Sequence, residues 1–567
     1  MAIKHWKMEE FSGIDQSRDG SLCRVETSPY AYNMDTADGN LSVAKGYVKH
    51  LTAPVPGSGI VRRFRVMPLM STFVYAAIAG DDEGRMNLYA YDTEGGAWHS
   101  VYRYPEHVTG RRWDMLQCNI GDYDYLLIAC GEHQTVKWDG ISAQASLFGS
   151  GETKFTGAVQ TCSGRTLTLA AAFSEETGKE IKRKGLIING ATQAVEDVDH
   201  TANTVTLKTA PATPPAAGTA VTVRGGVSDA AVNYLALHYG RLFCAGDPTH
   251  PGRVYYSQIA GDGRSIEDWH SDESSANAGG GLLEIGDSVG DPIMGLVSLS
   301  TQLLIIKRYS IYRLLGDRPS NYTVERVDAE VEQMAHTSVA THADVAFYLT
   351  PAGLCYFNNI TVQPMPDARS LFRFMKGCYV GTSKACEAKD CLYFTCYKGD
   401  DPQNRVYDNH MIVYDIRRRT YMLRRGFEAA DLFALDGSIY MLGGDRYVYR
   451  FNEGPDYDGR PIRAHWETQT TDLFARAVEK KIDEVFLRGT REEGDKAGAA
   501  VLLTTKFGGR GHVFRALMKD DPEEIIEIRP DSDWARTFQF EIDNEAGSRF
   551  SLQGGMEIYM QVQERPR

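Results

Sequence analysis

Hydrophobic and polar residues alternate in short segments along almost the whole chain, and these segments are rich in β-branched and aromatic residues. Alternation over roughly four to eight residues, bounded by Gly, Asp, Asn or Pro, is typical of β-strands. The best candidate for a helix is short, at 472–481. The sequence therefore predicts a mostly β protein, with strands that include 72–80, 87–92, 125–130, 241–247, 253–258, 302–314, 345–350, 391–398, 410–415, 438–444 and 446–451.

A longer period lies on top of the strand pattern. Several strands end in an aromatic residue followed by a polar turn, as at Tyr91, Trp138, Tyr312 and Tyr449. Without the segment 151–228, these positions recur on average every ~47 residues, and one four-stranded blade of a β-propeller takes about 40–50. We therefore expect a β-propeller of about seven blades. A set of unrelated β-sheets or one long sandwich is the alternative.

Changes in composition and in strand pattern indicate further segments. Residues 151–228 combine short alternating strands with an Asn-Gly turn and a Pro/Ala-rich loop, which predicts a small β-barrel inserted in a blade loop. Alternating strands after the turn-rich stretch 453–462 predict a C-terminal β-sandwich. The predicted organisation is an extended N-terminal arm that packs on the propeller or on a neighbour (1–60), the first part of the propeller (61–150), the inserted barrel (151–228), the rest of the propeller (229–460) and the sandwich (461–567).

Charge narrows the classes of function. The chain has 61 Lys and Arg against 75 Asp and Glu, a net charge of -14. A protein that grips nucleic acid through its phosphates needs a basic surface, so this class is disfavoured. An acidic wall past which DNA slides without sticking is compatible with the charge.

Hydrophobicity and cysteine content bear on the compartment. No apolar run approaches the ~20 residues of a membrane-spanning helix, and the first residues lack the apolar core of a secretory signal. Ten cysteines in 567 residues are too few for a disulfide scaffold. We expect reduced thiols and synthesis in a cytoplasm.

A search for catalytic and metal motifs yields no site. The chain contains no G-x-S-x-G, H-E-x-x-H or P-loop motif, and Gly279–Gly281 is not followed by a helical pattern. The only local cysteine cluster lacks a C-x-x-C pair and is interpreted as buried free thiols: Cys378, Cys386, Cys391 and Cys396. We therefore predict no enzyme activity and assign no catalytic, cofactor-binding or metal-binding residue.

Weaker patterns have structural interpretations. The segment 91–98 (YDTEGGAW) approaches a sialidase-type repeat with the Asp out of step, and 80–84 and 455–459 resemble fragments of calcium loops, so all three are interpreted as turns. Core or turn roles are expected for His336 and His342. A basic run, interpreted as a solvated outer strand with contact to DNA backbone or an acidic partner as the alternative, contains Arg417, Arg418, Arg419, Arg424 and Arg425.

Several phrases resemble one protein family. The opening residues Phe11 to Gly13, Asn33 to Asp35, Asp38 to Leu41, and Gly46-Tyr47 are similar to the start of tail hub and nozzle proteins of short-tailed bacteriophages and prophages. The same family is resembled by three later groups of phrases: 240–246 with 254–257 and Asp268-Trp269, then 303–314 with 353–357, and finally Trp466 with Lys480-Lys481. The resemblance covers most of the chain except 151–228.

The resemblance implies a structural virion protein. Members of the family form a ring, commonly a hexamer, below the portal and its adaptor, where they extend the DNA exit channel and help to retain and later release the packaged genome. We therefore expect portal adaptor or head–tail connector proteins, tail fibre, spike or needle proteins, and passing double-stranded DNA as partners. The expected location is the virion tail, after synthesis in the bacterial cytoplasm. The family has no catalytic residues to carry over.

Two other classes of function stay open. One is a carbohydrate-binding or glycan-degrading phage tail protein used in host recognition. The other is a host propeller scaffold that binds peptides.

Overall fold

A computed structural model describes most of the chain in two compact units, Met1–Pro54 with Glu332–Arg567 (unit 1) and Val55–Val331 (unit 2). The described residues are 2–18, 22–70, 72–110, 112–149, 153–189, 191–224, 231–261, 264–269, 277–286, 290–327, 336–399, 406–495, 500–507, 510–517, 525–530, 533–545 and 547–563.

The first strands of the chain belong to unit 1. They are β1 (Ala2–Met8), β2 (Ala31–Tyr32), β3 (Met34–Asp35), β4 (Leu41–Val43) and β5 (Tyr47–Lys49).

The described residues of unit 2 form the next 23 strands and one α-helix. They are β6 (Val61–Leu69), β7 (Thr72–Gly80), β8 (Met86–Asp92), β9 (Ala97–Arg103), β10 (Asp114–Ile120), β11 (Tyr123–Ala129), β12 (Val136–Trp138), β13 (Ser146–Leu147), β14 (Thr153–Ser163), β15 (Thr166–Leu169), α1 (Glu175–Lys184), β16 (Leu186–Ile188), β17 (Ala191–Gln193), β18 (Val195–Asp199), β19 (Thr204–Leu207), β20 (Ala220–Arg224), β21 (Tyr234–His238), β22 (Arg241–Ala245), β23 (Arg253–Tyr256), β24 (Gly281–Glu284), β25 (Ile293–Ser298), β26 (Gln302–Lys307), β27 (Ile311–Leu315) and β28 (Thr323–Val327).

The rest of unit 1 follows. Its elements are β29 (Val339–His342), β30 (Val345–Thr350), β31 (Gly353–Phe357), β32 (Val362–Pro364), α2 (Phe372–Met375), β33 (Cys378–Tyr379), β34 (Ala385–Ala388), β35 (Cys391–Lys398), β36 (Asp408–Asp415), β37 (Thr420–Leu435), β38 (Ser438–Gly443), β39 (Val448–Phe451), β40 (His465–Glu467), β41 (Glu479–Arg491), β42 (Ala500–Phe507), β43 (Arg510–Leu517), β44 (Ile525–Ile528), β45 (Gln539–Asn544) and β46 (Phe550–Gln563).

These elements confirm the prediction of a mostly β protein built of small antiparallel sheets. The predicted strands 72–80 and 345–350 coincide with β7 and β30. The best candidate for a helix, at 472–481, is not helical. Turns occupy its start, and β41 begins at Glu479. Among the described residues, no helix is long and apolar enough to cross a membrane.

Unit 2 contains four antiparallel sheets of four strands each, in chain order. Sheet 1 is β6–β9, sheet 2 is β10–β13, sheet 3 is β21–β24 and sheet 4 is β25–β28. The first strand of each sheet contacts the first strand of the next, β6 with β10, β10 with β21, and β21 with β25. Successive sheets are therefore neighbours, and they contact each other through their first strands.

The segment between sheets 2 and 3 has a core of its own. Its seven strands pair in the order β17-β16-β20-β14-β15-β19-β18. The hydrophobic cluster of this segment draws only on residues between 155 and 223, including Leu167, Val205 and Val221, which are fully buried. The predicted boundaries of the inserted barrel, near 151 and 228, lie outside the described residues.

Unit 1 holds three further four-stranded groups. Sheet 5 is β29–β32, and the other two share the 16-residue strand β37. These strands form one eight-stranded sheet, which we divide at β37. Sheet 6 consists of β34, β35, β36 and the first half of β37, with the two-residue β33 also paired to β35. Sheet 7 consists of the second half of β37, β38, β39 and β5. Strand β5, from the N-terminal part of the chain, thus forms the outer strand of sheet 7.

The C-terminal strands of unit 1 form two more sheets, and both contain N-terminal strands. One has the order β3-β4-β46-β41-β44 with β1 on β46, and the other has the order β2-β40-β45-β42-β43. Both sheets alternate buried and more exposed residues, and the buried ones join a single hydrophobic cluster that includes Trp466, Ile558 and Phe11. Residues 1–60, which the sequence analysis treats as an arm, thus contribute five strands to unit 1.

Candidate functional site

The N-terminal residues on which the family resemblance rests lie at closely packed positions in unit 1. Phe11 is buried edge-on against Trp466, with ring centroids 5.1 Å apart. A Cβ atom on Gly13 would lie 2.7 Å from the carbonyl oxygen of Tyr421, so a side chain has no room there. Both residues therefore allow the segment to pass closely between β37 and the C-terminal sheets.

The side-chain amide of Asn33 forms hydrogen bonds to two separate parts of unit 1. Its Nδ2 donates to the carbonyl oxygens of Arg425 (3.1 Å) and Arg463 (2.8 Å), and its Oδ1 accepts from the Arg425 backbone N–H (2.9 Å). Asn33 also has a positive φ of 55°, which Asn tolerates better than most residues. The residue holds the chain where it turns between β2 and β3.

Two buried arginines also attach the N-terminal segment to the rest of unit 1. Arg424 donates to the carbonyl oxygen of Met34 (2.8 Å) and forms an ion pair with Asp35. Arg549 donates to the carbonyl oxygens of Val43 (2.8 Å) and Ala44 (3.0 Å). Because a buried guanidinium needs hydrogen-bond acceptors, these contacts fix the path of the N-terminal segment.

The central family phrase has its own buried arginine, in sheet 3. Arg241 is fully buried, and its Nη1 donates to the carbonyl oxygens of Ser257 (2.6 Å) and Gly279 (2.7 Å). Ser257 in turn accepts from the Leu242 backbone N–H at 2.9 Å. Arg241 thus ties β22 to the loop that precedes β24, and Gly279 serves as a carbonyl acceptor in that loop.

The buried carboxylate of Asp247 lies just after β22 and bonds to β23 of the same sheet. Asp247 accepts hydrogen bonds from the hydroxyls of Tyr255 (2.6 Å) and Thr249 (2.5 Å). Burial favours the neutral acid, but these bonds and those from the Thr249 backbone and His250 outweigh it and lower the pKa of Asp247 to about 2. Sheet 7 repeats the arrangement, since Tyr449 donates to Asp445 at 2.5 Å.

The basic run is largely engaged within unit 1. Arg417 forms an ion pair with Asp390, and Arg418 donates to the carbonyl oxygen of Thr36 (2.6 Å) and pairs with Asp38. Arg425 stacks on Tyr32, with its guanidinium carbon 3.2 Å from the ring centroid, while Arg424 is buried as described above. Arg419 has a positive φ of 58° in the turn between β36 and β37. The run therefore joins this turn to the N-terminal segment.

The cysteine cluster is divided between buried and partly exposed thiols, none of them in a disulfide. Cys396 is fully buried, and Cys378 donates to the carbonyl oxygen of Phe374 at 3.0 Å. The hydrogen bond with Cys396 lowers the pKa of the Cys378 thiol against the effect of burial, and Lys398, 3.9 Å from its sulfur, adds to this. Burial raises the pKa of Cys391 to about 11.

The fragments that resemble calcium loops form turns. Asp81 accepts from the backbone N–H groups of Glu83 and Arg85, both at 2.9 Å, and pairs with Arg103. In the second fragment, Asp458 pairs with Lys49 at 3.1 Å. Asp92, in the sialidase-like segment, accepts from the backbone N–H of Glu94 at 3.0 Å.

Of the two histidines considered in the sequence, His342 lies beside two carboxylates and His336 begins a 3₁₀ turn. His342 lies 3.5 Å from Glu387 and 3.8 Å from Asp390, and Asp390 also pairs with Arg417. For His336 the backbone begins a 3₁₀ turn, and its side chain lies outside the described residues.

A cleft of about 660 Å³ lies beside sheet 7, within unit 1. Its walls include Tyr47, Tyr449 and Tyr457, which are only 3–4% exposed. The rings of Tyr449 and Tyr457 both pack on Tyr47, with centroids 4.6 and 4.9 Å from its centroid. Lys49 and Asp458, also in the wall, pair with each other. The cleft thus presents polar edges, because the aromatic faces are occupied.

A second group of ionisable residues was missed by the sequence analysis. His465 and Glu467 lie on one face of β40, and the directly opposite residues on β45 are Asp543 and Glu541. His465 Nδ1 lies 2.8 Å from Asp543, and Nε2 lies 3.7 Å from Glu467. Burial disfavours the charged ring, but Asp543 and Glu467 outweigh it and raise the pKa of His465 to about 9. The signal was present as H-x-E and E-x-D, but the two phrases are distant in sequence.

Comparisons with known proteins give little guidance. No family model and no curated protein matches the chain. Among solved structures, similarity is found to the computationally designed Ika8 protein (11% identity, TM-score 0.33, covering 72% of this chain and 99% of that one), to BamB from Moraxella catarrhalis (11%, 0.32, 70% and 97%) and to Sqt1 from Saccharomyces cerevisiae (11%, 0.31, 75% and 100%). TM-scores of this size do not establish a shared fold.

Proposed function

We propose that this chain is a structural subunit of a tail nozzle or hub ring in a short-tailed bacteriophage particle. Such a ring continues the channel of the portal and its adaptor, and helps to retain and later release the packaged genome. The observation that carries the proposal is that the residues resembling the family's opening phrase are those that fasten the N-terminal segment. Phe11, Gly13, Asn33 and Asp35 each make a contact that another residue type would lose.

The proposed fold is a β-propeller with seven blades. Sheets 1 to 7 are seven consecutive antiparallel groups of four strands, and within each unit successive sheets contact one another through their first strands. Propeller blades have this order, with the first strand innermost. An outer strand supplied by the N-terminal part of the chain, as β5 is in sheet 7, is a way to close such a ring of blades. We further propose that 151–228 is a small barrel and that the C-terminal sheets form a sandwich.

The acidic balance of the chain suits a channel wall. With a net charge of -14, the subunit offers little to hold phosphate groups, so DNA can pass without being bound. Ring subunits also need rigid modules for heterologous contacts that close on themselves. Connector proteins of the head, and the fibre, spike or needle of the tail, are the proposed partners above and below the ring.

Electron microscopy of the purified chain and of assembled particles tests this function. We expect closed rings of one chain type, commonly six copies, on the axis of the tail. An electrophoretic mobility assay at about 150 mM salt should give no retention of double-stranded DNA. Assembled particles in which the chain is present only as separate monomers would overturn the proposal.

Glycan binding is the competing function, and the cleft beside sheet 7 is the place to look for it. Sugar rings stack on exposed aromatic faces, whereas Tyr47, Tyr449 and Tyr457 are packed against one another. A glycan array and a polysaccharide degradation assay should therefore give no signal. A specific hit that is lost on Asp445→Asn substitution would favour the glycan-binding alternative over the nozzle.

A further inference from the structure

We propose that His465, Glu467 and Glu541 form a binding site for one divalent transition-metal ion, of the Zn²⁺ or Co²⁺ type, that joins β40 to β45. One nitrogen from His465 and one oxygen from each carboxylate all lie within 4.8 Å of one another. Imidazole nitrogen and carboxylate oxygen are ligands of zinc, and three protein ligands leave a fourth position for water.

The strand register puts the ligands in place without any loop. His465 and Glu467 are two residues apart on β40, so their side chains lie on the same face. Glu541 lies directly opposite Glu467 on β45, and Asp543 directly opposite His465. Trp466, between the two β40 ligands, is fully buried on the other face and anchors the strand. The ligands therefore belong to the hydrogen-bonded part of a sheet, which preorganises them.

Asp543 orients the histidine. Its Oδ1 lies 2.8 Å from Nδ1 of His465, so Nδ1 donates a hydrogen bond and Nε2 is turned towards Glu467. A carboxylate behind the imidazole is the usual support for a metal-binding histidine. The Nε2 to Glu467 oxygen separation is 3.7 Å, and two ligands about 2.1 Å from one tetrahedral ion lie roughly 3.4 Å apart. These two ligands therefore need only a small side-chain movement, and Glu541, which lies within 4.8 Å of both, must move closer to complete the site.

The surroundings favour a cation in this position. The side chains of His465, Glu467 and Glu541 are only 12–16% exposed, and the ring of Tyr32 stacks on His465 at 5.4 Å. Three carboxylates, counting Asp543, face this small space. Lys506 forms an ion pair with Glu541, and the ring of His465, whose pKa is raised, also compensates part of their charge. Metal binding at Nε2 therefore releases the proton from that nitrogen. A metal ion would compensate the negative charge at shorter range and would compete with the Lys506 ammonium group for Glu541.

Cobalt titration of the full chain tests the site. After treatment with EDTA and buffer exchange, Co²⁺ is added and the visible ligand-field absorption is recorded. We expect one Co²⁺ per chain with bands distinct from aqueous Co²⁺, and displacement by Zn²⁺. His465→Gln should abolish the bands, and Glu541→Gln should weaken Co²⁺ binding at least tenfold. Absence of such bands in the unaltered chain would overturn the proposal.

A matched control and a gain-of-affinity variant complete the test. His342 lies beside Glu387 and Asp390 in a similar group whose side chains are about twice as exposed, at 28–32%, so His342→Gln should leave the bands unchanged. Lys506→Met removes the competing ammonium and should tighten Co²⁺ binding about tenfold without removing a ligand. Circular dichroism establishes whether each variant is folded. If His465→Gln does not fold, Lys506→Met decides, and unchanged affinity in it contradicts the site.

Discussion

Phe11 packs edge-to-face on Trp466, with the two ring centroids 5.1 Å apart, although the two residues are far apart in the sequence. Trp466 Nε1 also donates to the carbonyl oxygen of Ser12 at 3.1 Å. Both aromatic side chains belong to the same hydrophobic cluster as the C-terminal sheets. The N-terminal segment is therefore part of the core of unit 1, and its removal should unfold more than the segment itself.

Phe11→Ala should strongly destabilise unit 1. Truncation of a buried Phe costs about 3–5 kcal/mol, because the apolar contacts are lost and a cavity is left. Phe372→Ala, at a side chain that is 65% exposed in the same unit, is the matched control and should change stability by less than about 1 kcal/mol. Urea unfolding followed by tryptophan fluorescence measures both. Equal effects of the two variants would contradict the role assigned to Phe11.

Gly46→Ala should be more damaging than an ordinary glycine substitution. A Cβ on Gly46 would overlap the carbonyl group of Asp456, whereas one on Gly459, which has a φ of +87°, would meet nothing within 4 Å. Gly459→Ala should therefore cost only the left-handed backbone penalty of about 1–2 kcal/mol. For Gly46→Ala we expect about 3 kcal/mol, because the backbone itself must move. Thermal unfolding of the two variants ranks them, and the reverse order would refute the close approach.

Arg241→Met should loosen sheet 3 of unit 2. The substitution keeps an apolar stem but leaves the carbonyl oxygens of Ser257 and Gly279 without their donor, at a cost of about 2–4 kcal/mol. Arg253→Met, which removes the partly exposed ion pair with Glu284, should cost no more than about 1 kcal/mol. Limited proteolysis should cut the loop before β24 sooner in the first variant only. Equal protection in both variants would count against the role of Arg241.

Asp247 should make unit 2 sensitive to acid. Its folded pKa of about 2 lies below the unfolded value of about 3.8, so its stabilising contribution is present above pH ~4 and is lost as the pH falls towards 2. Urea midpoints between pH 5 and pH 2.5 measure this loss. Asp247→Asn should remove this part of the acid dependence, and Tyr255→Phe, which deletes one hydrogen bond, should reduce it partially. An unchanged acid profile in Asp247→Asn would contradict the assignment.

The segment 151–228 should fold on its own. Among its described residues, the hydrophobic cluster is formed entirely within the segment, and Leu186 and Val205 in it are fully buried. The isolated fragment should therefore unfold in one cooperative thermal transition, and Val205→Asp should abolish that transition because it buries an unpaired charge. A non-cooperative melt of the unaltered fragment would contradict an independent core.

Strand positions were predictable from sequence because short runs rich in β-branched and aromatic residues end at turn residues. Several of these strands, such as β22 and β26, are buried on both faces, and others, such as β45, alternate. The N-terminal strands were not predictable, because β2 to β5 are only two or three residues long and, apart from the β3–β4 pair, their partners lie hundreds of residues away. Their sequence carries turn residues such as Asn33 and Asp38, which indicate an irregular path and nothing about its partners.

The helices illustrate a competition between local signals. At 472–481 the helical pattern is overridden, because the buried ammonium of Lys480 donates to the carbonyl oxygens of Ala475 and Val478 and β41 begins beside it. Helix α1 did carry usable signals: Ser174 caps it by accepting from the Thr177 backbone N–H, and Gly185 ends it with a φ of 79°. The His465 group needed the pairing of β40 with β45, which periodicity does not give.

The outer strand of sheet 7 has a consequence for how the protein is made. On the ribosome, β5 emerges some 400 residues before β39, the strand with which it pairs. Strands β1 and β4 are separated from their partner β46 by an even longer stretch of sequence. Unit 1 therefore cannot mature until β46 has been synthesised, and its contact order is high, which predicts slow folding and a period in which strand edges are exposed. Chaperone assistance and low temperature during expression should raise the yield of native protein.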